Sequence, residues 1–298
     1  MTLEQLRIFV FVAERSHMTR AAEALGLTQS AVSAAIKTLE TERQVELFDR
    51  VGRGLRLTEA GRVFVPEARA VLLRARAAEQ ALDDLAGLRR GMLSIAASQT
   101  ISSYWLPGLI ARFSDTHSGV TIRLRAGNSA EVARGVLDGA AEIGFVEGVV
   151  DDLALLRRVV GGDRIALYAA PTHPLAATPI TSAELGAARW VLREPGSGTR
   201  SHFERMMAER GVSALSVALE LPSNEAVLSA AADSRLVAAV SELAAAPFVA
   251  VGRVVRLDAQ LDARRFELLA HKERRLSAAA KAFVALLPSQ ASAASASQ

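Results

Sequence analysis

The sequence predicts an α/β multidomain protein in three successive parts, and three observations predict it. Residues 18–40 read as two short helices joined by a tight turn. Residues 59–88 form one Ala- and Arg-rich helical run with a coiled-coil repeat. Beyond Gly91, β-like runs alternate with helical ones. The implied bounds are a head at 1–58, a linker helix at 59–90, a two-lobe α/β domain at 91–287 and a disordered tail at 288–298, where PSQASAASASQ lacks large apolar groups.

In the head, Leu3, Leu6, Phe9, Val10 and Ala13 recur at helical spacing and supply a first helix. Ala22 is small where the next two helices must cross, Gly26 can take the positive φ of a sharp turn, and Val32 is a stiff apolar plug between them. The pattern is that of a helix-turn-helix. Leu25, Leu27, Val32, Ile36 and Leu39 are expected to face inward, which leaves Gln29, Ser30, Ser33 and Lys37, with Thr28 just before them, to reach a major groove. The run Leu47 to Thr58 carries Arg50, Arg53 and Arg56 around Gly52 and Gly54, a composition that suits a β-hairpin wing with cations on phosphates or in a minor groove.

From Glu59, the positions Phe64, Ala68, Val71, Ala75, Ala78, Leu82 and Leu85 alternate by four and three, the repeat of a coiled-coil seam, so the helix is expected to pair two subunits. Pro66 predicts a kink. In the third part the expected strands are Leu93–Ala97, Val120–Ala126, Glu142–Val146, Ile165–Ala170, Trp190–Leu192, Val217–Leu221, Leu236–Val240 and Phe266–Ala270. Helices fall between them, a parallel arrangement with crossovers. Two lobes are expected, one from about 91–162 and 265–287, the other from about 163–264, with a cleft at the strand C-terminal ends.

Four strand-to-helix turns are candidates to line that cleft. In REPGSGTR, Gly196 and Gly198 allow close backbone approach, Ser197 and Thr199 can donate to an anion, and Arg200 adds a charge. Facing it are Ser98, Gln99 and Thr100, then Asn128 and Ser129, then Ser223 and Asn224; each of these also fits a helix cap. A hydroxyl-rich lining with one cation suggests a small carboxylate or oxyanion.

The composition narrows the function classes. The formal charge is only +3 over 298 residues, so an argument for DNA rests on the placement of cations and not on their total. There is no cysteine, which excludes disulfides and zinc-thiolate sites. The five histidines, His17, His117, His173, His202 and His271, lack metal-ligand spacing, and no GxSxG or cofactor fingerprint occurs, so neither an enzyme nor a resident cofactor is expected. With no signal peptide and no run of about 18 apolar residues, a cytoplasmic, non-membrane protein is expected. A solute-binding protein without DNA binding would account for residues 91–287 but not for the first 60.

Residues 3–61, with AERSHMT, RAAEALGLTQSAVSAAIKTLE, LFDR and RLTEAG, resemble the N-terminal winged helix-turn-helix domain of the LysR-type transcriptional regulators. Arg43 and Gln44 stand where that family usually has an apolar residue and a glycine, and Ala35 where it often has a glutamine available to DNA. The C-terminal part resembles, less specifically, the family's periplasmic-binding-protein-like effector domain. The resemblance implies a small-molecule effector, often an anion, held by the Ser98–Ser102 loop, Ser102 included, and across the hinge. It further implies a homodimer assembled into a homotetramer, a double-stranded promoter site with paired half-sites, and contact with RNA polymerase.

Overall fold

The computed structural model describes residues 1–52, 54–85, 91–177, 179–212, 214–259 and 261–288. These fall into two compact units, residues 1–85 and 86–298.

The first unit opens with three helices, α1 (Leu3–Arg15), α2 (Met18–Leu25) and α3 (Gln29–Arg43). Local chemistry sets their ends. Thr2 and Gln5 form a reciprocal capping box on α1, and the Thr28 hydroxyl accepts from the Ala31 amide at the start of α3. Gly26 closes α2 at φ +68°, the left-handed conformation the turn demands. Leu6, Phe9 and Val12 pack with Ala21, Ala22, Val32, Ile36 and Leu39 in one core. Leu27 departs from its expected inward position: it lies in the turn, off the apolar stripe of either helix, and is 37% exposed.

Strands β1 (Phe48–Val51) and β2 (Gly54–Leu57) pair antiparallel as the expected wing. Glu40 of α3 fastens it by accepting from the Leu47 amide at 2.7 Å and the Phe48 amide at 3.3 Å. Helix α4 (Glu59–Leu85) follows and runs on through Pro66. Gly61 is required at its start, because a Cβ there would stand 2.2 Å from the Leu47 carbonyl oxygen. The apolar stripe of α4 serves two purposes where one was expected. Phe64, 5.0 Å from the Phe9 ring, and Ala68 belong to the head core, whereas Val71 and Leu82 stand exposed on the single chain. The Leu85 side chain and the tail from 289 onward lie outside the described residues.

The second unit holds a nine-stranded sheet. Its first part has β3 (Gly91–Ser98), β4 (Val120–Gly127) and β5 (Ile143–Val146), with α5 (Leu106–Thr116) and α6 (Ser129–Leu137). A turn of π-helix, Ile101–Trp105, leads into α5. Next come β6 (Leu155–Ala169), α7 (Ser182–Ala187), β7 (Arg189–Arg193), α8 (Gly198–Glu209), β8 (Ser216–Leu221), α9 (Asn224–Ala232), β9 (Val237–Ser241) and α10 (Glu242–Ala250). The short β10 (Val255–Arg256), β11 (Ala263–His271) and α11 (Ala278–Ala285) complete it.

The sheet is parallel only within each lobe. β3 pairs parallel with β4 and β5, and β7 with β8 and β9. The two long strands β6 and β11 pair antiparallel with each other and cross between the lobes. One core holds Ile95, Phe113, Phe145, Val160 and Phe266, and another holds Ile165, Trp190, Leu192, Phe203 and Leu261. The passage between lobes therefore lies between Val160 and Ile165 on β6, and between Leu261, just before β11, and Phe266 within it.

Candidate functional site

On the first unit, α3 presents Gln29, Ser30 and Lys37 to solvent, with Thr28 exposed at its cap and its hydroxyl 3.0 Å from that of Ser30. Ser33 is half-buried. On the wing, Arg50 is exposed. Arg56 is also exposed but lies 3.6 Å from Asp49 across the hairpin, and Arg53 lies outside the described residues. A helix with polar groups along its outer side, backed by a core and flanked by a cationic hairpin, has the shape and charge to enter a duplex groove while holding the adjacent phosphates.

In the second unit the turns after β3, β4, β7 and β8 meet between the lobes. The Asn224 side-chain amide donates to the Thr100 hydroxyl at 3.0 Å. The Gln99 side-chain oxygen Oε1 accepts from the Asn224 backbone amide at 2.9 Å and from Arg193 at 2.8 Å. Ser129 accepts from the Gly148 amide at 3.3 Å, and the Ala130 amide reaches the Gly196 carbonyl at 3.5 Å. Ser98, Thr100, Ser102, Ser197, Thr199 and Asn224 are all buried. Ser197 and Ser223 cap α8 and α9, and Asn128 forms a capping box with Glu131 on α6, so capping accounts for these side chains directly. Ser102 donates to the Gln99 carbonyl.

One expectation needs correction. The cation at the centre is not Arg200, whose guanidinium pairs with Glu204 and Glu220, each at 2.7 Å, and donates to the Arg193 carbonyl. It is Arg264 of β11, with its side chain 1% exposed. Arg264 grips Asp163 at 2.5 and 2.9 Å, donates to Thr199 at 2.9 Å and to Thr100 at 3.5 Å, and lies 3.6 Å from Glu147. Burial opposes its charge, but Asp163 and Glu147 outweigh that and hold its pKa above the ordinary arginine value. Glu147, with its side chain 2% exposed, accepts from the Ser98 hydroxyl and, at 3.5 Å, from Thr199. His202, near the start of α8, is half-buried; burial, then Arg205 and Arg264, push its pKa down.

A second set of contacts straddles the lobes at Glu225, which accepts from Tyr104 and Gln99, each at 2.6 Å. Burial works against the Glu225 charge, but the donors led by Tyr104 win and lower its pKa; burial, then Glu225 itself, push the Tyr104 phenol up. The sequence reading missed Arg264, Asp163, Glu147 and Glu225. Among the described residues no helix is long and apolar enough to cross a membrane, and no group of three His, Cys, Asp or Glu residues could hold a metal ion.

Comparison with known proteins bears on both units. Residues 3–62 match the model for bacterial regulatory helix-turn-helix proteins of the lysR family, and residues 86–292 match the LysR substrate binding domain. The chain is 34% identical over 293 residues to a RuBisCO operon transcriptional regulator of Allochromatium vinosum, covering 97% of this chain and 96% of that protein. It is 40% identical over 226 residues to YeiE of Escherichia coli K12, described as an uncharacterized HTH-type transcriptional regulator, covering 76% of this chain and 75% of that one. Full-length CbnR in complex with its target DNA shares the fold, with a TM-score of 0.67 at 21% identity over 96% of this chain and 99% of that one. The chain thus belongs to the LysR family: it is a DNA-binding transcriptional regulator with a substrate-binding effector domain.

Proposed function

We propose that the protein regulates a promoter bearing paired half-sites, and that a small anion seated between the lobes of residues 91–287 sets its activity. The observation that carries the effector reading is the meeting of two strand-to-helix turns on one buried guanidinium, Arg264, which donates to the hydroxyls of Thr100 and Thr199, while Asn224 of a third turn donates to Thr100. Hydroxyl donors, helix N-termini and a desolvated cation together favour an oxyanion. Gln29, Ser30 and Ser33 read base edges in this account, while Thr28, Lys37, Arg50 and Arg53 position the head on the backbone.

The exposed stripe from Val71 to Leu82 on α4 supports pairing of two chains, and two such pairs would form a tetramer. Lobe closure would alter how subunits pack and so the spacing of paired heads, with contact to RNA polymerase as the output. The protein is a binding switch working in the cytoplasm, not a catalyst.

The test is a mobility-shift titration of the full chain against its own upstream region and a scrambled duplex, with and without small oxyanions. Preference for the upstream region, altered by one of the anions, is expected. Equal binding to both duplexes under all conditions overturns the reading.

A further inference from the structure

The cleft already contains a carboxylate. Glu147 brings one between the lobes, where Ser98 of the first lobe, Thr199 of the second and Arg264 of a crossing strand converge on it. Arg264 does not need Glu147 for neutralisation. Asp163 grips it through two short contacts, at 2.5 and 2.9 Å, against 3.6 Å for Glu147. The cluster formally holds two carboxylates for one guanidinium, an excess that burial penalises.

Glu147 stands just past a strand end, beside a backbone that Ser129 and Gly198 hold in place. β5 ends at Val146, Glu147 is followed by Gly148, and the connection to β6 at Leu155 carries Val149 and Leu153 exposed to solvent. The Glu147 side chain has several rotatable bonds, so it can swing out of the cluster while the backbone at Gly148 stays in place.

We infer that Glu147 is a built-in occupant of the anion position in the cleft, and that an incoming oxyanion must expel it to bind Ser98, Thr199 and Arg264. This rests on the interlobe reading above and adds a regulatory property to it. The protein's own carboxylate competes with the effector and sets the concentration at which the regulator responds. Inorganic phosphate, sulfate and acetate serve as oxyanion probes of that position.

The test compares thermal stabilisation of the full chain by inorganic phosphate, sulfate and acetate in the native protein, in Glu147→Gln and in the double variant Glu147→Gln with Ser98→Ala. Glutamine keeps the shape and can still accept from Ser98 while removing the surplus charge. The half-maximal phosphate or sulfate concentration is expected to fall at least tenfold in Glu147→Gln, and Ser98→Ala should reverse most of that gain. Glu147→Asp, which keeps the charge but draws it back by one methylene, gives a smaller fall and covers the case of a poorly folding glutamine variant. A native-like midpoint in Glu147→Gln, or in Glu147→Asp where the glutamine variant does not fold, overturns self-occupancy while leaving an anion-binding cleft in place. Absence of stabilisation in every variant overturns both.

Discussion

Gly148 and Gly198 meet between the lobes so closely that a Cβ built on Gly198 would stand 2.6 Å from the Gly148 nitrogen and 2.6 Å from the Ser129 hydroxyl. The atoms in the way are backbone and a buried hydroxyl, so they cannot simply rotate aside. Closure in this geometry requires glycine on both sides. Gly198→Ala is expected to act as a wedge, destabilising the domain by about 1–3 kcal/mol, as overpacking does. It should also raise the half-maximal phosphate concentration for thermal stabilisation. A variant that matches the native protein in both urea denaturation and phosphate titration would show that the lobes need not close to this distance.

The head separates readout from positioning. Gln29 lies exposed in the first turn of α3, so Gln29→Ala is expected to cost about 1–3 kcal/mol on the preferred duplex and little on a scrambled one. Arg50 is exposed on the wing, and Arg50→Ala should weaken binding to both duplexes alike and reduce the slope of log affinity against log salt by about one. Arg56, beside Asp49, should matter less. Fluorescence anisotropy at several salt concentrations distinguishes the cases, and identical losses on both duplexes for Gln29→Ala would reject its role as a base reader.

What was legible in the sequence was what local chemistry decides. The turn at Gly26, the cap at Thr28 and the caps at Ser197, Ser223 and Asn128 each depend on residues within a few positions, and the spacing showed them. Arg200 misled because its charge was visible while its partner was overlooked: Glu204 stands four residues on, the spacing at which a helical arginine pairs along its own helix. Arg264 was illegible for a different reason. By alternation it shares a face with Phe266 and Leu268, but it precedes the expected strand Phe266–Ala270, and only the pairing of β11 with β6 brings it to Asp163, 101 positions earlier in the chain. The first ten residues of β6 were missed because LLRRVVGGDR carries glycines where a strand should have side chains. Packing explains them. A Cβ on Gly161 would press on Trp105 at 3.2 Å, and one on Gly162 would stand 2.5 Å from the Arg264 carbonyl oxygen.

Glu225 gives the effector domain an acid limit. Its folded-state pKa is depressed, since the donors Tyr104 and Gln99 hold the ionised form more strongly than burial resists it. A depressed carboxylate contributes stability that is fully present above the unfolded-chain value, about 4.3, and is lost as pH falls through the folded value. Glu225→Gln should therefore be less stable than the native domain at pH 7, with the gap narrowing as pH drops below about 4. Urea denaturation followed through Trp105 and Trp190 from pH 3 to 7 checks this; a gap independent of pH would assign the effect to shape and not to charge.

Gln44 ends the recognition helix at φ +51°, where the related regulators usually have a glycine. Its amide donates to the Thr41 carbonyl at 3.3 Å, the Val45 amide to that of Glu40 at 3.1 Å, and its side chain is exposed. The left-handed conformation costs a residue with a Cβ about 1–2 kcal/mol. Glycine would remove that strain but gives back about 0.5–1 kcal/mol through the greater freedom of its unfolded chain. Gln44→Gly is thus expected to stabilise the head by about 0.5–1 kcal/mol, with no contact of the cap lost. Both tryptophans and both tyrosines lie beyond residue 100, so optical signals do not report on this helix. Hydrogen exchange of peptides from 29–48 does, and opening there should slow by about two- to fivefold, the factor corresponding to that energy. Unchanged exchange in Gln44→Gly, with faster exchange in Gln44→Ala, would mean that the cap is held by side-chain packing and that the strain is relieved elsewhere.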